Sequence, residues 1–249
     1  TGDENSSYYA SFSNISSDGV FPTDVDSYKR NTIALRGSER KGIFSVSGSF
    51  NLSDVDGSSV PAGQGPTVYN NLMQIPRDIS IVDMENYNNQ FYNIDNYFTS
   101  YGVINPYYTL GEFGSKYEGS KIFGGIDLGV DLTSWATLNY RFGYDYTNDV
   151  YNIWEAIIAP TPGRPNAGSS IEDGGSVRQR TVNRRQLNHD IMLNLKHDIS
   201  SDLRMTGLVG LNINERKYLD FDAYVTDLDI PGFYDLINRI FRKPELSEV

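Results

Sequence analysis

The sequence predicts an all-β protein whose antiparallel strands form a segment of a transmembrane β-barrel with long extracellular loops. Three observations predict it: seven segments alternate apolar and polar residues, the connections between them alternate between short and long, and only 39% of residues are hydrophobic. Successive side chains of a strand point to opposite faces, so such alternation gives one apolar and one polar face. We therefore expect a wall with lipid on one side and water on the other.

The clearest alternation runs from 122 to 146, with a turn at 133–135. One parity carries the apolar residues Ile122, Ile126, Leu128, Val130, Leu132, Leu138, Tyr140, Phe142, Tyr144 and Tyr146. The other parity carries Asp127, Asp131, Asn139, Arg141 and Asp145. This pattern predicts an antiparallel hairpin with two chemically distinct faces. The three aspartates are expected to face water, where they need no catalytic role.

The same pattern assigns the whole chain, 1–249, to part of one β-barrel domain. Strands are predicted at about 7–16, 28–36, 43–52, 121–132, 136–147, 186–197 and 203–216, and long loops at 53–118, 148–180 and 217–249. Successive connections of an antiparallel sheet lie at opposite ends, so all short turns share one end and all long loops the other. This arrangement of turns and loops is typical of outer-membrane barrels.

Composition and motifs exclude several classes of function. The net charge of −11 and pI near 4.6 argue against a nucleic-acid partner, which would need clustered Lys and Arg. No run approaches the ~18 apolar residues of a membrane-spanning helix, so strands would carry any membrane insertion. The chain has no cysteine and no G-x-S-x-G, P-loop or H-E-x-x-H motif. We predict no enzyme activity, no catalytic residue, no cofactor and no metal site.

Aromatic residues fall into two groups with different predicted roles. Tyr140, Tyr144 and Tyr146 lie toward the long-loop end of a strand and Trp135 lies at a short turn, as expected for the girdles at membrane interfaces. The predicted loop 53–118 carries Tyr87, Tyr92, Tyr97, Tyr101, Tyr107 and Tyr108 among many asparagines. Aromatic faces beside amides suit a sugar or peptide ligand. A loop that packs against itself, or a surface for a partner protein, explains them equally well.

Six short motifs carry a resemblance to a known family. They are YYASF at 8–12, DGV at 18–20, YKRNT at 28–32, NLMQIPRDI at 71–79, NPYYTL at 105–110 and IPGFYDL at 230–236. In order and spacing they resemble the SusC/RagA-like TonB-dependent transporters of the Bacteroidetes outer membrane. The resemblance covers nearly the whole chain and about a quarter of the family's full length.

The resemblance implies nutrient import across the bacterial outer membrane, with a glycan or oligopeptide as substrate. It implies a SusD-like surface lipoprotein as partner, together with outer-membrane lipid and TonB, which acts through the plug. Large plugged transporters have 22 strands, so seven strands would form part of a multi-pass barrel. We expect the plug, the TonB box and the remainder of the barrel to lie outside this chain.

Two alternatives stay open at the level of sequence. A soluble carbohydrate-binding β-sandwich would turn its apolar faces inward against a second sheet. A passive porin or adhesin barrel would share the two-faced wall but would lack a plug.

Overall fold

The computed structural model describes residues 1–61, 67–97 and 102–239, and its fold is all-β, as predicted. Seven antiparallel strands form one sheet in chain order. They are β1 (Ser6–Ser17), β2 (Ser27–Lys41), β3 (Phe44–Ser59), β4 (Gly114–Thr133), β5 (Ala136–Glu155), β6 (Ser176–Asp198) and β7 (Arg204–Thr226). Each strand pairs with the next one along the chain. Short turns and long loops therefore lie at opposite ends.

Among the described residues, helical structure is confined to the connection between β3 and β4. It comprises α1 (Val68–Met73), a 3₁₀ turn (Val82–Met84) and α2 (Pro106–Glu112). α2 begins after Asn105, whose side chain accepts a hydrogen bond from the Tyr107 amide, and Pro106 occupies the first turn, where no donor is needed. No helix in the described ranges is long and apolar enough to cross a membrane.

The strands run further toward the long-loop end than the alternation predicts. β4 begins at Gly114 rather than near 121, β5 ends at Glu155 rather than near 147, and β6 begins at Ser176 rather than near 186. The connection expected at 148–180 is correspondingly short, from 156 to 175. In these extensions both faces carry polar side chains, so the apolar period stops while backbone pairing continues.

In-register pairing gives the sheet one apolar face. Residues that share it are Phe12, Ile33, Leu35, Phe44, Val46, Phe50, Leu52, Ile122, Ile126, Leu128, Val130, Leu138, Phe142, Leu187, Ile191, Leu193, Val209, Leu211 and Ile213. They pack against no other part of the described chain: Leu128 is 43% exposed and Phe12 is 68% exposed. At its edge toward the long loops this face also carries Arg185 and Lys217, which both form an ion pair with Glu215.

A row of polar residues bounds the apolar face toward the long loops. Asn14, Asn31, Asp54, Ser120, Asn148 and Asn183 follow one another in register across β1 to β6. Below this row the apolar face extends on β4 from Ile122 to Val130, roughly 27 Å at about 3.3 Å per residue. With the tilt of about 35–45° that is usual for barrel strands, the face is roughly 20 Å tall, close to the apolar band of outer-membrane barrels.

Glycines bend the sheet at its middle. A Cβ at Gly124 would meet the backbone oxygen of Ser49, and one at Gly125 would lie 2.6 Å from the backbone oxygen of Phe142. Only glycine allows neighbouring strands to approach so closely, and glycine kinks are a usual source of curvature in barrels. Gly124 and Gly125 therefore allow the sheet to curve where β3, β4 and β5 meet.

We predict that Gly124→Ala destabilises the protein by about 1–3 kcal/mol, because its methyl group must displace the backbone of β3. Gly48→Ala is the matched control, since the nearest atom to its Cβ is 3.6 Å away. Thermal unfolding of the two purified variants checks this. Equal unfolding temperatures would contradict the close approach at Gly124.

Candidate functional site

The second face of the sheet is polar, and ion pairs line it. The pairs are Arg40 with Asp131, Lys121 with Asp145, Arg141 with Asp127, Arg178 with Asp222, Arg180 with Asp220 and Arg184 with Asp149. Each of the three aspartates noted in the sequence, at 127, 131 and 145, thus lies against a cation and not against a second carboxylate. Exposed pairs of this kind contribute about 0–1 kcal/mol each, so their main effect is a hydrated surface.

Amide side chains extend this hydrated surface between the ion pairs. Asn212 donates to Asp190 and to Asn188, and Asn194 donates to Asn139 across the strands. Where Gly125 and Gly143 pair, the polar face has a depression of about 530 Å³. The described residues contain no group of His, Asp and Glu side chains arranged to hold a metal ion. This face can therefore offer hydrogen bonds and charge to a ligand.

The long connections form a packed layer at one end of the sheet, which we call the loop layer (60–61, 67–97, 102–113, 156–175 and 227–239). Its core contains Ile104, Phe113, Ala156, Ile158 and Ile171, with Tyr108 and Tyr234 packed against it. A second cluster joins Val60, Val68 and Leu110. Three separate connections thus contribute to one buried core, and the loops have a defined structure.

Buried asparagines fix the backbone of the loop layer. Asn105 donates to the Met84 and Tyr92 carbonyls at 2.9 and 3.1 Å. Asn166 donates to the Ile94 and Tyr97 carbonyls at 2.7 and 2.9 Å. Asparagines in this region therefore have a structural role that composition alone does not reveal.

The three loop motifs of the resemblance meet in this layer. Asn71, from the motif 71–79, donates to Thr109 of the motif 105–110 at 3.0 Å. In the third motif, 230–236, Tyr234 packs against the same core as Tyr108. Asn238, just beyond that motif, donates to the Ile230 and Phe233 carbonyls at 2.8 and 2.6 Å. Residues that are distant in the sequence thus build one structural unit.

Most of the loop tyrosines proposed as ligand contacts pack within the loop layer. Tyr97 is only 3% exposed, and Tyr87, Tyr92, Tyr107 and Tyr108 are half-buried. The rings of Tyr87 and Tyr108 meet edge to face at 5.6 Å. The Tyr87 hydroxyl donates to Glu112 at 3.0 Å, and that of Tyr108 donates to the Ile157 carbonyl at 3.1 Å. Tyr101 lies outside the described residues.

Burial also sets the protonation of these phenols. Loss of hydration raises the pKa of Tyr97 and of Tyr108 above the ordinary value, and it raises the pKa of Tyr234 to about 12. Burial, followed by the hydrogen bond to Glu112, raises the pKa of Tyr87 as well. These phenols are protonated near neutral pH even at the ordinary tyrosine pKa, and the upward shifts keep them protonated at higher pH.

Other apolar side chains of the loop layer face outward. Tyr69, Met73 and Phe91 are exposed, the last by 66%. Tyr69 and Phe91 stand among the same asparagines as the buried Tyr97, so no local sequence signal separates them. The folded loops decide which rings a ligand or partner can reach.

The proposed girdle tyrosines lie on the apolar face at different heights. Tyr146 lies next to the polar row and its hydroxyl donates to Asn183 at 2.8 Å, with Tyr144 one row below. Tyr140 lies deeper, in the row of Leu128, with its hydroxyl 2.8 Å from His189 Nδ1. Trp135 is half-exposed at the short turn between β4 and β5. Their role as a membrane girdle remains a proposal.

No protein-family profile and no curated protein matches this chain. Solved structures do match it. "Structure of the RagAB peptide transporter" has a TM-score of 0.68 at 16% identity over 97% of this chain and 26% of that chain. The RagAB peptide importer in the "closed-closed" state has a TM-score of 0.65 at 15% identity, and the match covers 97% of this chain and 26% of that chain. The "open-open" state of that importer has a TM-score of 0.63 at 16% identity, and the match covers 94% of this chain and 24% of that chain.

The resemblance to SusC/RagA-like transporters is confirmed for the fold. At 15–16% identity the match concerns backbone architecture, and the chain spans about a quarter of the length of the matched chains. The matched proteins are transporters and importers of peptides. Activity, substrate and partners of the present chain are therefore matters of proposal.

We predict that Asn105→Ala loosens the loop layer, because it leaves the Met84 and Tyr92 carbonyls without this partner and removes the cap of α2. The expected loss in free energy of unfolding is about 1–3 kcal/mol. Hydrogen–deuterium exchange of 82–97 in the purified protein should accelerate. Asn88→Ala is the control, since Asn88 is exposed and makes no side-chain hydrogen bond among the described residues. Unchanged exchange in Asn105→Ala would contradict this role.

Proposed function

We propose that this chain imports nutrients across the bacterial outer membrane as part of a SusC-like TonB-dependent transporter that works with a SusD-like lipoprotein. The observation that carries the proposal is the two-faced sheet, with one exposed apolar face and one ion-paired polar face. Lipid covers the apolar face, and the polar face lines a water-filled conduit. The substrate is a glycan or an oligopeptide, and the peptide importers among the matched structures favour an oligopeptide.

The apolar face supports a membrane location on physical grounds. Soluble monomers rarely expose contiguous apolar patches of more than a few hundred Å², and this one spans the width of the sheet. Contact with lipid removes this apolar surface from water, and pairing between strands satisfies the backbone N–H and C=O groups, which lipid cannot hydrogen-bond. The polar row of Asn14, Asn31 and Asn148 then marks the level at which headgroups begin.

The sandwich alternative requires a second sheet against the apolar face. All seven strands in the described ranges lie in one sheet, and no described segment covers that face. This arrangement argues against the sandwich. A passive porin would have the same two-faced wall but would need no energy for uptake. An uptake experiment measures this difference.

The loop layer is the proposed contact surface for the lipoprotein and the ligand. It lies at the entrance of the conduit, and it exposes Tyr69, Met73 and Phe91 to solvent. Aromatic and methionine side chains are frequent in the centres of protein interfaces. Energy from TonB reaches the conduit through the plug that the remainder of the transporter supplies.

Uptake by cells that produce the full-length protein tests the function. We expect accumulation of a fluorescent oligopeptide that stops when a protonophore collapses the proton-motive force. A strain without the gene provides the background. Uptake that continues without the proton-motive force would identify a passive porin, and its absence with all peptides and glycans would refute import.

Thiol labelling tests the two faces, since this chain has no cysteine of its own and the unsubstituted full-length protein gives the background of any other thiol. In the full-length protein in outer-membrane vesicles, Leu128→Cys should resist a water-soluble maleimide and accept a lipid-dissolved one. Gln186→Cys on the polar face and Tyr69→Cys in the loop layer should show the opposite preference. Labelling of Leu128→Cys by the water-soluble reagent alone would contradict the lipid contact.

A charge on the apolar face should destabilise the protein in a membrane. Ile126 lies in the middle row of that face, so Ile126→Arg is expected to cost about 2–4 kcal/mol in a bilayer. Gln186→Arg is the matched control, because it adds the same charge to the polar face. Urea unfolding in lipid vesicles measures both variants. Equal stability of the two variants would contradict the membrane orientation.

A further inference from the structure

The polar face differs in charge from one side of the sheet to the other. On β4 to β7 its arginines and lysines alternate with aspartates, and most of them form ion pairs. On β1, β2 and β3 the register places no carboxylate on this face, and serine is the most frequent residue there. The only charges of this part are three arginines of β2: Arg30, Arg36 and Arg40.

Two of these arginines lack an anionic partner in the part of the chain that the structure describes. Arg40 reaches across to Asp131 at 2.6 Å, whereas Arg30 and Arg36 form no ion pair and no side-chain hydrogen bond among the described residues. Nε of Arg30 is also buried without a hydrogen-bond partner. A guanidinium carries five donors, and a buried donor without an acceptor is costly. The buried Nε of Arg30 is out of reach of a ligand, so the remaining donors of Arg30 and those of the exposed Arg36 are the ones that can serve an external acceptor.

Hydroxyl groups flank Arg36 in register, whereas Arg30 lies between Ile15 and Val55 and has hydroxyl groups in the adjacent row. Arg36 lies between Tyr9 and Ser49 in register, and Ser13 and Ser53 belong to the row next to that of Arg30. Guanidinium and hydroxyl donors together are complementary to a carboxylate, which accepts several hydrogen bonds at once. We call this surface, defined by Arg30, Arg36 and their flanking hydroxyls, the arginine–serine strip.

We propose that the arginine–serine strip binds carboxylates of the transported substrate, and that this substrate is an acidic oligopeptide. The proposal rests on the import function proposed above and names its substrate class. Arg30 and Arg36 stand six residues apart on one strand, roughly 20 Å at about 3.3 Å per residue. An extended peptide has the same rise, so carboxylates along it can contact both arginines.

The charge of the surrounding surface supports this assignment. The chain carries a net charge of −11, and the exposed carboxylates Glu172, Asp173 and Asp227 lie in the loop layer. In a chain with this acidic balance, an anionic peptide is attracted to places where cations stand without carboxylates. The arginine–serine strip is such a place on the polar face.

Binding measurements on the detergent-purified full-length transporter test the proposal. The probes are an Asp-rich oligopeptide and the same peptide with Asn in place of Asp. In the double variant Arg30→Gln/Arg36→Gln, we expect about tenfold weaker binding of the acidic peptide, since hydrogen bonds to charged groups are lost. The neutral peptide should bind within twofold of the parent value. Arg30→Lys/Arg36→Lys should recover part of the loss.

Two control variants isolate the effect of the strip. Arg40→Gln removes an arginine of the same strand and face that is already paired with Asp131, and Lys29→Gln removes a cation from the opposite face. Neither should change the preference for the acidic peptide. An equal loss in Arg40→Gln would assign the preference to overall charge and overturn the proposal.

Other outcomes separate the strip from the import function. If the double variant loses the acidic and the neutral peptide alike, the arginines hold a carboxylate-bearing part of the transporter itself, and the proposal fails. If the double variant binds both peptides like the parent, the strip is not a site, while import stands. If the parent protein binds and imports glycans only, the oligopeptide substrate is wrong and the strip proposal falls with it.

Discussion

The constraint on which the structure depends is the unbroken register of the seven strands. Side chains alternate with a period of two, so a slip of one residue would move every apolar residue of a strand to the polar face. The one irregularity lies between Asp131 and Thr133, beside a short turn. Because register is kept across the whole sheet, Leu128 and Ile213 share a face, and Asp127 and Asn212 share the other.

Stability is distributed unevenly between the sheet and the loops. The sheet has no buried core on its apolar face, and its exposed ion pairs contribute little in water. The loop layer, by contrast, buries Ile104, Phe113 and Ile158 and satisfies its backbone through asparagine side chains. The loops are therefore the part of this chain that folds against itself, and the sheet depends on its surroundings.

The sequence reveals the faces of the strands better than their ends or the contacts between loops. The pattern from 122 to 146 predicts which residues lie opposite each other, because alternation is a local property. It fails from 114 to 120 on β4 and in the paired parts of β5 and β6, where polar and apolar side chains mix on both faces while pairing continues. The bond between Asn71 and Thr109 joins residues 38 positions apart, and no local pattern reports it. The lack of partners at Arg30 likewise becomes visible only from its neighbours on β1 and β3.

The extension of the strands past the polar row has a consequence for the entrance of the proposed transporter. From Ser120 to Gly114 on β4, and over the matching parts of β5 and β6, paired backbone continues for roughly 20 Å along the strand at about 3.3 Å per residue, which is about 15 Å in height at the usual barrel tilt. In the proposed transporter, this paired backbone would form the wall above the membrane, and ladder hydrogen bonds would hold neighbouring strands at a fixed spacing. The loop layer, which lies on the rim of this wall, has fewer backbone pairs and would be the part that can rearrange.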